Sequence, residues 1–141
     1  MGTISKDFSY REFERSEVAE AKHICNVITS FEVRDNILAL TENVLQPLRD
    51  AWGKPLKVNS GYRCKALNAA VGGVPTSQHV KGEAADIATG DPVKLARLAV
   101  KLRLPFDQMI LYPSFVHFSH KLAGEQRGQI CYNWRYKGEK V

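Results

Sequence analysis

Three residues of the chain have the types and the spacing of a metal site. His79 and Asp86 share the run SQHVKGEAAD, and His117 follows farther along in FVHFSH. Two neutral imidazoles and one carboxylate can supply the three protein ligands of a catalytic zinc ion and leave one coordination position open. A water molecule in that position becomes acidic enough to act as a nucleophile near neutral pH. We therefore predict a zinc site formed by His79, Asp86 and His117.

Helical patterns occupy much of the chain around this motif. The clearest runs over residues 32–52, where apolar residues recur at three- and four-residue intervals. Pro47 lies inside that pattern and predicts a kink or a break just before it. A second helix is predicted over 93–102, because Asp91 and Pro92 form an N-cap and first-turn pair. Shorter helical segments are predicted over 8–14 and 65–71.

Short apolar or alternating runs bounded by turn residues predict the strands. Asp86 lies in the predicted strand 83–88, and His117 lies in the predicted strand 115–120. Further strands are predicted over 56–59, 106–112 and, at a sheet edge, 128–136. The order of these elements predicts a single α+β domain over residues 1–141, with one central, mainly antiparallel sheet flanked by helices.

The net charge of +5 suits contact with polyanions such as nucleic acid, anionic lipid or an anionic cell wall. No nucleic-acid-binding motif accompanies the scattered basic residues, so we expect no nucleic acid partner. Residues 1–20 lack the pattern of a signal peptide, and no apolar run is long enough to span a membrane. We therefore expect a monomer that is made in the cytoplasm and does not insert into membranes.

The cysteines do not form a recognisable framework. Cys25, Cys64 and Cys131 are widely spaced and include no CxxC pair, so we expect reduced thiols. Cys64 follows Arg63 directly and lies close to the metal motif in the sequence. A reactive thiol or a soft metal ligand is therefore an alternative role for Cys64.

Five motifs in a fixed order carry a family resemblance: SGYR, AVGG, SQHVKGEAADI, FDQMIL and FVHFS. Together they resemble the zinc D-Ala-D-Ala carboxypeptidase family, the M15 peptidases, and within it the compact bacterial and phage branch that includes endolysins. The resemblance covers residues 8–119. It implies the hedgehog/DD-peptidase fold, a Zn²⁺ cofactor, and hydrolysis of D-amino-acid peptide bonds in peptidoglycan stem peptides or their precursors. For an endolysin, it also implies action on the cell wall after release.

Carried over position by position, the resemblance implies the same three zinc ligands and two substrate-binding residues. Arg63, in SGYR, would hold a carboxylate or carbonyl of the peptide, and Ser77 would hydrogen-bond the substrate. His120 competes with His117 for the third ligand position. Residues three apart on a strand point to opposite faces, and the family pattern of an aromatic residue and a valine before the histidine selects His117.

The chain departs from the better-known members of the family at the general base. Those members place a glutamate or an aspartate three residues before the last histidine, whereas this chain has Ser114 there. Asp107 and Glu83 are the candidate catalytic bases, and Tyr112 is a further alternative. The departure leaves open a non-catalytic zinc or cell-wall-binding module. A cytoplasmic D-Ala-D-Ala-type dipeptidase is the enzymatic rival of a peptidoglycan peptidase. A nucleic-acid-binding domain with incidental histidines is a third rival.

Overall fold

The computed structural model of the chain describes residues 2–141, which begin with helices and end with three consecutive strands. The helices are α1 (Tyr10–Glu14), α2 (Glu17–Ala21), α3 (Phe31–Leu40), α4 (Gln46–Trp52), α5 (Lys65–Ala70), α6 (Gln78–Lys81) and α7 (Pro92–Lys101). The strands are β1 (Lys57–Ser60), β2 (Ala84–Ala88), β3 (Gln108–Leu111), β4 (Phe115–Ser119) and β5 (Gln129–Tyr132). In this part of the chain, no helix has the length and apolar character that crossing a membrane requires.

The strands form one five-stranded sheet in the order β1-β2-β4-β3-β5. All neighbouring pairs are antiparallel except β3 and β5, which are parallel. The α+β class and the mainly antiparallel sheet are therefore confirmed. The predicted edge strand over 128–136 is shorter in the structure and adopts a parallel pairing. The end of β4 lies beside the start of β3, because these two strands are antiparallel. The chain then crosses to the far side of β3 and begins β5 near that same end, so β5 runs parallel to β3.

The two faces of the sheet differ in the side chains that they carry. One face packs against the helices through buried side chains of β2, β3 and β4: Ala85, Ile87, Met109, Leu111, Val116 and Phe118. Side chains alternate across a strand, so Asp86 and His117 lie on the opposite face. In the register of the sheet, His117 is paired with Asp86 on one side and with Ile110 on the other. The central strands thus hold the core with one face and the predicted metal ligands with the other.

Helices α3, α4 and α7 complete the hydrophobic core. Helix α4 packs against α7, and α7 contacts both β3 and β4. Their inward-facing residues are fully buried: Ile37, Leu40, Leu48, Leu95, Ala96 and Ala99. Burying a Leu or Ile side chain of this kind contributes about 1.5–3 kcal/mol. This packed core lies on the side of the sheet opposite Asp86 and His117.

The predicted irregularity before Pro47 is present as a π-helical turn over Thr41–Leu45. Proline has no N–H to donate to the carbonyl four residues earlier, and its ring crowds that carbonyl. The chain widens there but keeps helical dihedral angles at Thr41 and Gln46. Helices α3 and α4 are consequently continuous, and Pro47 does not break the predicted segment into separate helices.

Gly82 ends α6 and makes a testable packing contact. Its φ is +77°, and a Cβ atom added there would lie 2.7 Å from the carbonyl oxygen of Val33. Gly82→Ala is therefore expected to reduce the free energy of unfolding by about 1–3 kcal/mol more than Gly72→Ala does. Gly72 is the matched control, because its φ is +75° and an added Cβ meets nothing within 4 Å. Urea denaturation measures both, and equal losses would show that the Val33 contact is unimportant.

Candidate metal centre

The three predicted ligands converge on one point. The Nε2 atom of His79 lies 3.3 Å from Oδ1 of Asp86, and Nδ1 of His117 lies 2.9 Å from the same oxygen. One ligand atom from each residue falls within 4.8 Å of the others, which positions the group to bind a metal ion. Among residues 2–141, this is the group of His, Cys, Asp and Glu side chains that meets that condition.

Strand register explains how two of the ligands meet. Asp86 on β2 and His117 on β4 are direct antiparallel partners. Directly opposed residues hold their Cβ atoms about 4.5–5.5 Å apart on the same face of a sheet. A slip of one residue would turn one of the two side chains into the hydrophobic core. The apolar alternation of β2 and β4 therefore fixes the polar pair as well as the core.

A short helix supplies the third ligand. The Oγ of Ser77 caps α6 by accepting a hydrogen bond of 3.2 Å from the backbone N–H of His79. The Nδ1 of His79 lies 2.7 Å from the carbonyl oxygen of Gly61, so Nδ1 carries the proton and donates it. That arrangement leaves a lone pair on Nε2, the atom that faces Asp86. The sequence patterns did not indicate a helix at this position, and the structure places a single helical turn there.

The electrostatics favour a charged carboxylate between two imidazoles. Burial alone raises the pKa of Asp86, but the adjoining rings of His79 and His117 outweigh burial and bring that pKa below its ordinary value. Asp86 is therefore ionised at neutral pH. A donor set of two imidazole nitrogens and one carboxylate oxygen suits Zn²⁺ and related transition-metal ions. The residues present fit such an ion.

The ligands open into a cavity of about 490 Å³. Asp86 is the one carboxylate among the described residues that line this cavity, and the two arginines that line it are Arg63 and Arg127. A second cavity of about 540 Å³ also reaches Arg63 and Asp86 and extends past β1 and residues 15–18. The metal group therefore lies where two polar cavities adjoin.

The predicted substrate-binding residues lie beside the metal group. Arg63 is half-buried, and its Nη2 donates a 3.4 Å hydrogen bond to Oγ of Ser77. Its Nε is buried and has no partner among the described residues. Burial lowers the pKa of Arg63, and the nearby charge of Asp86 opposes that shift. Both side chains line the metal cavity, so their predicted roles are compatible with the structure and stay predictions.

The predicted bases Asp107 and Glu83 are not brought to the metal group, and neither lines its cavity. Asp107 is fully buried and accepts hydrogen bonds of 2.7 Å from Nη2 of Arg127 and 3.1 Å from Nε2 of Gln78. Burial alone raises the pKa of Asp107, but the hydrogen bonds from Arg127 outweigh it and hold the pKa below its usual range. Glu83 accepts a 3.3 Å bond from Gln78. A base role for either stays a prediction.

Tyr112 does line the cavity and stacks on Phe115 at a ring distance of 4.1 Å. Burial, followed by the charge of Asp86, raises the pKa of Tyr112. Its hydroxyl is therefore protonated at neutral pH and suited to donate a hydrogen bond rather than to accept a proton. Ser114, at the family's base position, is exposed.

The structure also locates the two alternative ligands. His120 lies just beyond the end of β4, where its Nδ1 is 2.7 Å from the carbonyl oxygen of Pro105. Cys64 caps α5 by accepting a 3.5 Å hydrogen bond from the N–H of Leu67. Neither residue belongs to the metal-binding group of the described chain. Local structure thus accounts for both side chains.

Arg127 is the one charged residue, among the described residues that line the cavity, that the sequence did not indicate. It lies in the run GEQRGQ between two strands, a polar segment without periodicity or motif. Its partner Asp107 is distant in sequence, so only the folded sheet brings the two together. Positive charge was the single available signal, and it is shared by many surface residues.

Comparisons with known proteins agree with the geometry. Residues 6–120, which include all three candidate metal ligands, match the family model described as Peptidase M15. A curated relative from Streptomyces albus G, named zinc D-Ala-D-Ala carboxypeptidase, is 31% identical over 126 residues. The match covers 86% of this chain and 47% of the relative, so the chain spans about half the length of that protein. The family match extends over most of the chain, and the chain belongs to the M15 peptidase family.

Proposed function

We propose that the chain is a zinc-dependent metallopeptidase that hydrolyses peptide bonds involving D-amino acids in peptidoglycan stem peptides or their precursors. The observation that carries the proposal is the convergence of His79, Asp86 and His117 at an open cavity in a chain of the M15 peptidase family. The name of the Streptomyces albus G relative supports zinc as the metal and D-Ala-D-Ala as the kind of substrate.

His79 would hold the ion through Nε2, Asp86 through a carboxylate oxygen and His117 through Nδ1. A zinc ion in such a site supplies Lewis acidity, which polarises a peptide carbonyl and makes water a better nucleophile. The hydrogen bond from His79 to Gly61 keeps the ring in the required tautomer and orientation. Asp86 and His117 would need little reorganisation when an ion binds, because the opposite faces of β2 and β4 are buried in the core.

Arg63 would bind the peptide next to the reacting carbonyl. Its buried Nε lacks a partner among the described residues, and a planar guanidinium can donate two parallel hydrogen bonds to one oxygen-bearing group. Such donors stabilise negative charge that develops on a carbonyl oxygen. Ser77 would assist by holding both Arg63 and the backbone of His79.

Proton transfer in the proposed reaction requires a general base. A general base must lie within hydrogen-bond reach of the nucleophile, directly or through one water molecule. Asp107 and Glu83 remain our candidate bases, and both contact Gln78, which lines the cavity. Asp107 already accepts hydrogen bonds from Arg127, so Glu83 is the candidate with fewer competing partners.

Digestion of purified peptidoglycan, with mass analysis of the released fragments, tests the proposal. We expect peptide fragments cut at a bond next to a D-amino acid, loss of cleavage after treatment with a chelator, and recovery after addition of Zn²⁺. The same assay on a free dipeptide separates wall hydrolysis from a cytoplasmic dipeptidase. Cleavage that continues unchanged in the chelated protein would contradict the zinc mechanism.

Within this function, we favour an endolysin that acts on the cell wall after release. The net charge of +5 supports binding to an anionic wall. A specific observation favours one rival, because Asp86 is the single carboxylate among the described lining residues of the cavity. That rival, a non-catalytic zinc or wall-binding module, predicts sedimentation with peptidoglycan without release of any fragment.

A further inference from the structure

Arg127 is held in a fixed orientation by one buried carboxylate. Its Nε lies 3.2 Å from both carboxylate oxygens of Asp107, and its Nη2 lies 2.7 Å from Oδ2. Its backbone N–H also donates to Oδ1 of Asp107 at 2.8 Å. Because the backbone and the side chain are tied to the same group, little rotational freedom is left for a ligand to remove.

The rest of the guanidinium remains available in the metal cavity. The Arg127 side chain is 50% exposed, and the residue lines the cavity together with all three metal ligands. No described residue forms a hydrogen bond with its Nη1, so two N–H donors remain there. Its Nη2 also lies 3.5 Å from Oε1 of Gln78, the neighbour of His79. Arg127 is thus placed in the cavity wall beside Gln78, the residue that precedes the candidate ligand His79.

The charges of the cavity favour an anionic ligand group. Arg63 and Arg127 are the two permanently charged cations among its described lining residues, and Asp86 is the one carboxylate. Asp86 is already engaged by His79 and His117. Asp107, which partly neutralises Arg127, lies behind it with no exposed surface. A negatively charged group that enters the cavity therefore meets two cations and no free carboxylate among those residues.

We propose that Arg127 is a specificity-determining residue that binds a carboxylate group of the peptide substrate through Nη1. The proposal rests on the proposed peptidase function and narrows its substrate class to peptides that carry a carboxylate near the bond that is cleaved. That carboxylate is either the free C-terminus of the peptide or an acidic side chain. Arg127 lies beyond the residues 6–120 matched by the family model, so the proposed contact belongs to this chain's own C-terminal segment.

Two pairs of N-acetylated tripeptides ending in D-Ala-D-Ala test the proposal. One pair differs by a free C-terminal carboxylate against a carboxamide, and the other by glutamate against glutamine at the first position. Steady-state kinetics on the zinc-loaded full chain give KM and kcat. Calorimetric titration of the chelated full chain gives affinity without turnover. We expect the wild type to prefer the carboxylate member of one pair about ten- to a hundred-fold.

The variant Arg127→Gln is expected to remove that preference, and the loss should appear both in KM and in the affinity measured by calorimetry. Arg127→Lys should keep part of the preference, because it keeps the charge but loses the planar fork. The preference is a ratio within one variant, so a general loss of folded protein cancels from it. Arg97→Gln is the matched control, since Arg97 has a similarly exposed side chain (51%) paired with Glu139 outside the metal cavity.

The outcomes separate this inference from the proposed function. A carboxylate preference that Arg127→Gln removes in the binding assay supports the inference even if no peptide is cleaved. Chelator-sensitive cleavage with a preference that Arg127→Gln leaves unchanged supports the peptidase and overturns the inference. An equal loss for both members of a pair, or a wild type without any preference, also overturns it. The pair that loses its preference identifies the source of the carboxylate.

Discussion

His117→Ala is expected to lower zinc affinity more than about a hundred-fold and to abolish chelator-sensitive hydrolysis. Loss of a hydrogen-bonding partner behind a metal ligand already costs about 10–100-fold in affinity, and the ligand itself should cost more. The Nδ1 atom of His117 lies 2.9 Å from Oδ1 of Asp86, within the group that could hold the ion. Equilibrium dialysis against buffered zinc, with metal analysis of the protein, measures the loss directly.

The companion variant His120→Ala decides which histidine completes the site. His120 is buried and contacts the carbonyl of Pro105, so its loss should lower stability but leave one zinc ion per folded chain. His23→Ala serves as a second control, because His23 is exposed and lies outside the metal group. Retention of stoichiometric zinc by His117→Ala, together with its loss in His120→Ala, would reverse the assignment.

The candidate metal ligands could be predicted from sequence because much of the information that indicates them is local. His79 and Asp86 lie in one motif, and the strand patterns around Asp86 and His117 were recognisable from alternation and short apolar runs. Once both residues lie on adjacent antiparallel strands, the register that buries Ile87 and Val116 also pairs the ligands. The apolar pattern that fixes the register of β2 and β4 therefore also fixes which polar side chains face each other.

The contacts around the candidate ligands could not be predicted from sequence, because they join residues that no local pattern connects. The turn of helix that holds His79 is one such case, because it is only four residues long and is stabilised by the Ser77 cap. The pairing of Asp107 with Arg127 is another, since it joins the start of β3 to the loop before β5. The sequence made Asp107 a candidate base, whereas the structure surrounds it with donors. Whether a carboxylate can serve as a base thus depends on hydrogen-bond partners that lie far from it in sequence.

These contacts connect Asp107 to both sides of the proposed active site. Asp107 accepts a hydrogen bond from Gln78, the residue before His79. It also accepts hydrogen bonds from Arg127, and these fix a cation of the cavity. It therefore acts as a positioning residue in the structure, whichever group accepts the proton. A base role and a positioning role predict different behaviour when the charge of Asp107 is removed.

Asp107→Asn is expected to lower the free energy of unfolding by about 1.5–3 kcal/mol at neutral pH. The change replaces hydrogen bonds between charged groups by weaker ones in a buried position. The half-exposed side chain of Arg127 keeps the loss below the value for a fully buried ion pair. The midpoint of thermal unfolding should fall by roughly 4–10 °C. Lys121→Ala is a suitable control, since its contact with Asp107 is longer, at 3.5 Å.

The pH dependence of this loss distinguishes the two roles. Folding lowers the pKa of Asp107, so its stabilising contribution is complete above the unfolded pKa of about 3.9 and disappears as pH falls through the lower folded value. Denaturation of the metal-free protein should therefore show a gap between wild type and Asp107→Asn that is constant near neutrality and narrows in strong acid, where the wild-type carboxyl is also neutral. A general base predicts instead unchanged stability and a kcat reduced by about 10²–10⁴. Because the carboxylate is already paired with Arg127, we expect the stability of the variant to fall and its kcat to change far less than a missing base requires.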